Sequence, residues 1–253
     1  MKKIAATLLF VALVLTFMAC GNGGPPEAYE EAIEPDDVAT ANRDQDMDEA
    51  QIDDDPASYE SEEKFLIETG VFAELASGER QEEITHVVIH FISNVIANRT
   101  DPYVLADIER IFLDYGVSAH YVIDRDGTIH LTVPEERVAF HAGAGSLVDF
   151  PEYENNLNQH SIGIELLGIG TREEMSLYLT ASEYDALDPS LIGFTDEQYE
   201  ALNWLLNDIL ARHPGILPNR THIIGHNEYS PTKNDPGVLF EWERLDFMKS
   251  PSV

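Results

Sequence analysis

The stretch THVVIHFI, residues 85–92, is a short run of apolar and β-branched residues, which is typical of a buried strand. A second run of this kind, HSIGIELLG, occupies residues 160–168, and a third, THIIGH, occupies residues 221–226. Between these runs the apolar residues return at helical spacing, so strands alternate with helices. The sequence therefore predicts a mixed α/β fold, in which a central β-sheet is flanked by helices.

Turn and capping residues place the first connecting elements. Asp101-Pro102 predicts the start of a helix that Gly116 ends. The following segment, SAHYVIDRDGTIHLTV (residues 118–133), predicts a β-hairpin whose turn lies at Asp126-Gly127.

The remaining helices are predicted in the same way. Thr195 is expected to cap a long amphipathic helix that Pro214-Gly215 ends. Shorter helices are expected at residues 63–76 and 240–245.

The first part of the chain differs in composition from the rest. Lys2 and Lys3 precede a nearly continuous apolar run, and Ala19-Cys20-Gly21 follows it. This arrangement resembles a bacterial lipoprotein signal peptide, in which the cysteine is acylated and becomes the new N-terminus. The resemblance implies a signal peptide at residues 1–19 and a lipid anchor at Cys20 that holds the protein outside the cytoplasm, in the cell envelope. An ordinary secretory signal is the alternative.

The next segment is strongly acidic. Residues 20–80 are rich in Glu, Asp, Ala and Pro and show no sustained apolar period, so they are expected to form a disordered, self-repelling tether. A calcium-binding or protein-binding acidic tail is the alternative. Order is expected from residue 81 to residue 253, as one folded domain.

Overall composition excludes several classes of protein. The formal net charge of −32, from 47 acidic and 15 basic residues, would repel nucleic-acid phosphates. A single cysteine excludes an internal disulfide framework and a multi-thiolate zinc site. A transition metal would therefore be held by imidazole and carboxylate groups. Nothing in the sequence indicates an obligate oligomer, and a monomer is expected.

Two histidines lie where a sheet of this kind places its functional groups. His90 is near the end of the first strand and His226 at the end of the last, while Asp235 follows in a Lys-Asn-Asp-Pro-Gly loop. Two imidazoles and one carboxylate can form an open zinc site at the strand ends. A lone strand histidine is more often a hydrogen-bonded core residue, so this spacing by itself is a weak indication.

Five stretches in order, VVIHF, SAHYVIDRDGTI, FHAG, SIGIELLG and IIGHNEYSPTKNDPG, resemble the successive blocks of the type 2 N-acetylmuramoyl-L-alanine amidases. The superfamily includes peptidoglycan recognition proteins. The resemblance covers roughly residues 84–245 and implies zinc-dependent hydrolysis of the amide bond between N-acetylmuramic acid and L-alanine in peptidoglycan or muropeptides. It also implies that His90, His226 and Asp235 are the zinc ligands.

The resemblance assigns further roles. Glu165 matches the acidic residue that activates water, and Lys233 matches the lysine that stabilises the developing negative charge. His141 matches a substrate-contacting histidine, although Phe140 stands where the family has tryptophan. Asn94 lies where related amidases contact the muropeptide.

Two other functions remain open from the sequence. A non-catalytic peptidoglycan-binding module would use the same groove without turnover. A zinc peptidase would cut within the stem peptide.

Overall fold

The structure, a computed structural model, describes residues 67–69 and 75–249. The predicted signal peptide, Cys20 and most of the predicted tether lie outside these residues. The described strands are β1 (Ile67–Thr69), β2 (Ser77–Glu79), β3 (His86–Ile92), β4 (Tyr121–Ile123), β5 (Ile129–Leu131), β6 (Arg137–Ala139), β7 (Ser161–Leu167) and β8 (Ile223–Gly225). The α-helices are α1 (Leu105–Tyr115), α2 (Leu157–His160), α3 (Ala181–Asp185), α4 (Asp196–Arg212) and α5 (His226–Tyr229), with short 3₁₀ turns between them.

Six of the strands form one mixed sheet in the order β1-β5-β4-β7-β3-β8. The strands β4, β7, β3 and β8 run parallel to one another, and β5 pairs antiparallel with β4 as the predicted hairpin. The strands β2 and β6 form a separate antiparallel pair. The mixed α/β fold expected from the sequence is confirmed.

Alternation along the central strands separates the two faces of this sheet. In β7, Ile162, Ile164 and Leu166 are fully buried in the main core, together with the apolar face of α4. Because successive side chains point to opposite faces, Ser161, Gly163 and Glu165 face the other side. That second face carries the polar residues described below.

The helix α4 is fixed at its start by its cap. The Thr195 hydroxyl accepts a hydrogen bond from the Gln198 amide at 3.1 Å, and the Gln198 side chain accepts one from the Thr195 amide at 3.1 Å. The same buried Gln198 side chain donates to the carbonyls of Ile123 and Leu167, which lie on β4 and β7. The cap predicted at Thr195 is confirmed, and it also attaches the helix to the sheet.

Several expected element bounds differ from the structure. The helix α1 begins at Leu105, with Val104 as an extended N-cap, rather than at Asp101-Pro102. As predicted, Gly116 ends the helix, and it adopts a left-handed conformation. Residues 240–245 hold a 3₁₀ turn, Trp242–Arg244, and a second turn follows it at Asp246–Met248.

The N-terminal boundary of the domain also differs from the expectation. The prediction of a helix at residues 63–76 is wrong for Ile67–Thr69, because these residues form the strand β1, which pairs with β5 in the main sheet. The strand β2 pairs with β6, and Arg80 donates hydrogen bonds to the carbonyls of Glu135 and Gln159. The domain therefore begins before residue 81, because the backbones of β1 and β2 pair with β5 and β6 although this segment is acidic.

Within residues 67–69 and 75–249, no helix combines the length and apolar character that crossing a membrane requires.

Candidate metal centre

Three side chains from different elements meet on the polar face of the sheet. His90 lies on β3, His226 is the first residue of α5, and Asp235 lies in the loop that follows. The Nδ1 atom of His90 is 2.8 Å from Asp235 Oδ2 and 3.0 Å from His226 Nδ1, and His226 Nδ1 is 3.0 Å from the same carboxylate oxygen. One atom from each residue thus points to a common point, as a metal site requires.

The proton on His226 can be placed from its second ring nitrogen. Its Nε2 lies 3.0 Å from the Ala142 carbonyl oxygen, which can only accept a hydrogen bond. The Nε2 therefore carries the proton, and Nδ1 presents a lone pair toward His90 and Asp235. Two imidazole nitrogens and a carboxylate, with a lone pair already aimed inward, suit a divalent transition metal.

Burial and mutual charge keep this group in the form that binds a cation. Burial, followed by the nearby His226, lowers the pKa of His90 to about 4. Burial alone would raise the pKa of Asp235, but the adjacent His226 and His90 outweigh that effect and hold the pKa well below its usual range. A neutral imidazole and an ionised carboxylate therefore face each other near neutral pH.

Glu165 lies beside this cluster. It is the direct register partner of His90 across the β3–β7 ladder. Its Oε2 atom is buried and has no hydrogen-bond partner within the part of the chain that the structure describes. Burial, together with the charge of Asp235, raises the pKa of Glu165 well above its usual value, while Lys233 lowers it. An unsatisfied buried carboxylate is costly, and a bound cation or substrate would relieve that cost.

Lys233 is exposed on the loop that carries Asp235. The positive charge of its ammonium group lowers the pKa of both His90 and Glu165. Within this loop, the Lys233 backbone amide donates a hydrogen bond of 3.1 Å to the Ser230 carbonyl.

The two residues expected to contact substrate, His141 and Asn94, lie in different surroundings. His141 is buried behind His90, and its Nδ1 lies 3.0 Å from His90 Nε2. Asn94 lies after β3, and its side-chain amide donates to Asp107 of α1 at 2.9 Å. The structure thus brings His90, His226, Asp235, Glu165, Lys233 and His141 together, whereas the described side-chain hydrogen bond of Asn94 goes to a helix outside the cluster.

Sequence reasoning missed three residues that support the centre. Ser161 lies 3.2 Å from His141 Nε2, Asn158 accepts from the backbone amides of His141 and Ala142, and Gly163 lies directly under the His141 ring. The alternation of Ser161, Gly163 and Glu165 with three isoleucine or leucine residues was a signal that β7 has one polar face.

Comparisons with known proteins identify the family to which this chain belongs. The sequence pattern that defines the N-acetylmuramoyl-L-alanine amidase family matches residues 80–238. A 1,6-anhydro-N-acetylmuramyl-L-alanine amidase, AmpD, from Citrobacter freundii is 35% identical over 137 residues, which cover 54% of this chain and 59% of that protein. AmpD from Haemophilus influenzae is 30% identical over 176 residues, which cover 64% of this chain and 81% of its length.

The fold agrees as well. A crystal structure of a selenomethionine derivative of AmpD superposes with a TM-score of 0.50 at 28% identity, covering 71% of this chain and 92% of that one. The matched region spans only 59% of the length of the Citrobacter relative.

Proposed function

Because the chain belongs to the N-acetylmuramoyl-L-alanine amidase family, we propose that it hydrolyses the amide bond between N-acetylmuramic acid and L-alanine, with zinc held by His90, His226 and Asp235. The observation that carries the proposal is the convergence of these three ligand atoms beside the unpartnered Oε2 of Glu165. A binding module would need the groove, but it would not need a buried carboxylate next to a metal centre.

The roles of the residues follow from their placement. Zinc, when bound, supplies Lewis acidity to the scissile carbonyl and to the attacking water. Glu165 accepts a proton from that water as its oxygen bonds to the carbonyl carbon, and then returns the proton to the alanine nitrogen as the carbon–nitrogen bond breaks. The Lys233 ammonium stabilises the negative charge that develops on the carbonyl oxygen.

The names of the relatives indicate which form of the muramic acid in a substrate should be tested first. AmpD is named for 1,6-anhydro-N-acetylmuramyl-L-alanine, so muropeptides with an anhydro end are the first substrates to compare with those carrying the ordinary reducing sugar. A preference for the anhydro form would favour released fragments over intact wall.

Hydrolysis of both muropeptides, with product masses as the readout, tests the proposal. We expect free sugar and intact peptide, in a reaction that a zinc chelator stops and added zinc restores. Products cut within the stem peptide would instead support the zinc peptidase. Binding of the muropeptide by the zinc-loaded protein without any product would support the non-catalytic module.

We also propose that the protein is exported, acylated at Cys20 and held on a membrane of the cell envelope, where it acts as a monomer. The support is the sequence Ala19-Cys20-Gly21 after an apolar run with Lys2 and Lys3 before it. Metabolic labelling with an alkyne fatty acid should mark the wild type and leave Cys20→Ser unmarked. Equal labelling of both, or none of either, would contradict the anchor, and light scattering of the purified protein would test the monomer.

A further inference from the structure

His141 lies behind the metal ligand His90, on the side away from Asp235. The two rings are nearly perpendicular, with an interplanar angle of 82° and centroids 5.1 Å apart, and His141 Nδ1 lies 3.0 Å from His90 Nε2. Both side chains are buried, His90 to 2% exposure and His141 to 9%. The contact is therefore part of the interior of the protein.

The direction of each hydrogen bond in this chain can be worked out from its far end. The Leu157 carbonyl can only accept, so the single hydroxyl proton of Ser161 points to it, at 2.7 Å. The Ser161 oxygen must then accept at its other contact, which makes His141 Nε2 the donor at 3.2 Å. A neutral His141 consequently has a bare Nδ1.

The same reasoning fixes the tautomer of His90. A bare Nδ1 on His141 accepts a hydrogen bond, so His90 Nε2 carries the proton that is donated to it. The Nδ1 atom of His90 is left with a lone pair, and this is the atom that faces Asp235 and His226. The second ring N–H of a metal-binding histidine commonly donates a hydrogen bond to a carboxylate or a carbonyl. Here the acceptor is another histidine.

The segment that carries His141 also holds the second histidine ligand. The Ala142 carbonyl accepts from His226 Nε2 at 3.0 Å. The backbone amides of His141 and Ala142 donate to one oxygen of Asn158, at 3.1 and 2.8 Å. The dipeptide His141-Ala142, held by Asn158, therefore orients both imidazole ligands.

Gly163 makes room for this arrangement. A Cβ at residue 163 would lie 2.6 Å from Cδ2 and 2.7 Å from Nδ1 of His141. The ring lies so close to β7 at this position that no side chain larger than hydrogen fits there.

We propose that His141 is a positioning residue that fixes the tautomer and orientation of the metal ligand His90, with Ser161 fixing His141 in turn, rather than a residue that contacts substrate. The proposal rests on the proposed zinc amidase. Both ring nitrogens of His141 already have protein partners, which leaves the ring no hydrogen-bonding atom for a sugar or peptide.

Zinc affinity tests this role without any need for turnover. We would measure the zinc dissociation constant by competition with a chromophoric chelator, and the visible spectrum of the cobalt-substituted protein. In His141→Phe, which keeps a ring but removes the acceptor, we expect zinc affinity to fall by about 10- to 100-fold. In His141→Asn, whose amide oxygen can occupy the position of Nδ1, we expect most of the affinity to return. His160→Phe, at a half-buried histidine that stacks on Tyr153, is the matched control and should bind zinc as the wild type does.

The outcomes separate the alternatives. Unchanged zinc affinity and an unchanged cobalt spectrum in His141→Phe, with a raised KM, would overturn the positioning role and identify a substrate contact. Thermal unfolding of the metal-free variants checks that they fold; if His141→Phe does not, Ser161→Ala decides, with a smaller loss of zinc affinity expected and an unchanged affinity counting against the proposal. A wild type that binds zinc but cleaves no muropeptide would overturn only the proposed function.

Discussion

His90 and Glu165 are direct register partners on the neighbouring parallel strands β3 and β7, so their side chains leave the sheet on the same face. The pairing places His90, a proposed metal ligand, beside the carboxylate of Glu165 without the help of any loop. A shift of either strand by one residue would turn one of the two side chains toward the opposite face. The strand register is therefore what assembles the reactive part of this centre.

Replacement of Glu165 by Gln should separate catalysis from metal binding. The variant keeps the shape of the side chain but cannot accept a proton from water, so we expect kcat to fall by about 10²- to 10⁴-fold. Zinc affinity should stay close to that of the wild type, because Glu165 is not one of the ligands. The exposed Glu154→Gln is the matched control, and a Glu165→Gln enzyme with nearly full kcat would remove the residue from the mechanism.

Removal of the Lys233 ammonium should weaken stabilisation of the transition state. In Lys233→Ala we expect kcat to fall by about 10²- to 10³-fold, with a much smaller change in KM. Lys249→Ala removes another exposed ammonium group, which pairs with Asp246 three residues before it, and this variant should have no effect. Steady-state kinetics of the three proteins makes the comparison; a Lys233→Ala defect confined to KM would indicate substrate binding alone.

Zinc should stabilise the folded protein through His90, His226 and Asp235. A ligand at 100 times its dissociation constant contributes about 2.7 kcal/mol to the free energy of unfolding, if it binds only the folded state. We therefore expect a higher Tm with zinc than with a chelator, and no such difference in Asp235→Ala. An Asp235→Ala protein that zinc stabilises as fully as the wild type would place the metal elsewhere.

The contact between Gly163 and His141 predicts a local defect. In Gly163→Ala the new methyl group would force the His141 ring to move, and we expect a loss of about 1–3 kcal/mol in the free energy of unfolding together with weaker zinc binding. Gly78→Ala is the control, since its Cβ would meet Phe140 at 3.4 Å, an ordinary contact distance. Chemical denaturation and chelator competition measure the two effects, and wild-type values for Gly163→Ala would show that the ring has room.

Glu135 predicts how stability depends on pH. Burial alone would raise its pKa, but hydrogen bonds from Arg212, His213 and Tyr121 outweigh that effect and lower the pKa to about 2. A carboxyl group whose pKa is depressed in the folded state stabilises the fold above its unfolded value, near 4.5. That contribution is lost as the pH falls from about 4.5 to about 2.

The variant Glu135→Gln isolates this contribution. At pH 7 it should be less stable than the wild type, by at most about 3 kcal/mol, and the difference should shrink as the pH approaches 2. Denaturant unfolding of both proteins across this range measures it. The exposed neighbour Glu136→Gln should track the wild type, and a Glu135→Gln difference that stays constant with pH would contradict the assignment.

The fold could be predicted from the sequence because its determinants are local. The apolar run of β7, the hairpin turn at Asp126-Gly127 and the capping residue Thr195 each act over a few neighbouring residues, and each appears in the structure as expected. The strands β1 and β2 could not be predicted in this way. They are short and acidic, and they are extended because a distant strand offers them hydrogen-bond partners.

By itself, the sequence determined the mixed α/β class and the order of blocks from which His90, His226, Asp235, Glu165 and Lys233 could be selected. Only the tertiary structure decided that His90 and Glu165 share a register, and that His141 stands behind His90 with Ser161 as its partner. The physical reason is the distance along the chain over which each feature is determined. Helix and strand propensities and turns depend on adjacent residues, whereas the tautomer of an imidazole depends on which acceptor the folded chain brings within about 3 Å of it.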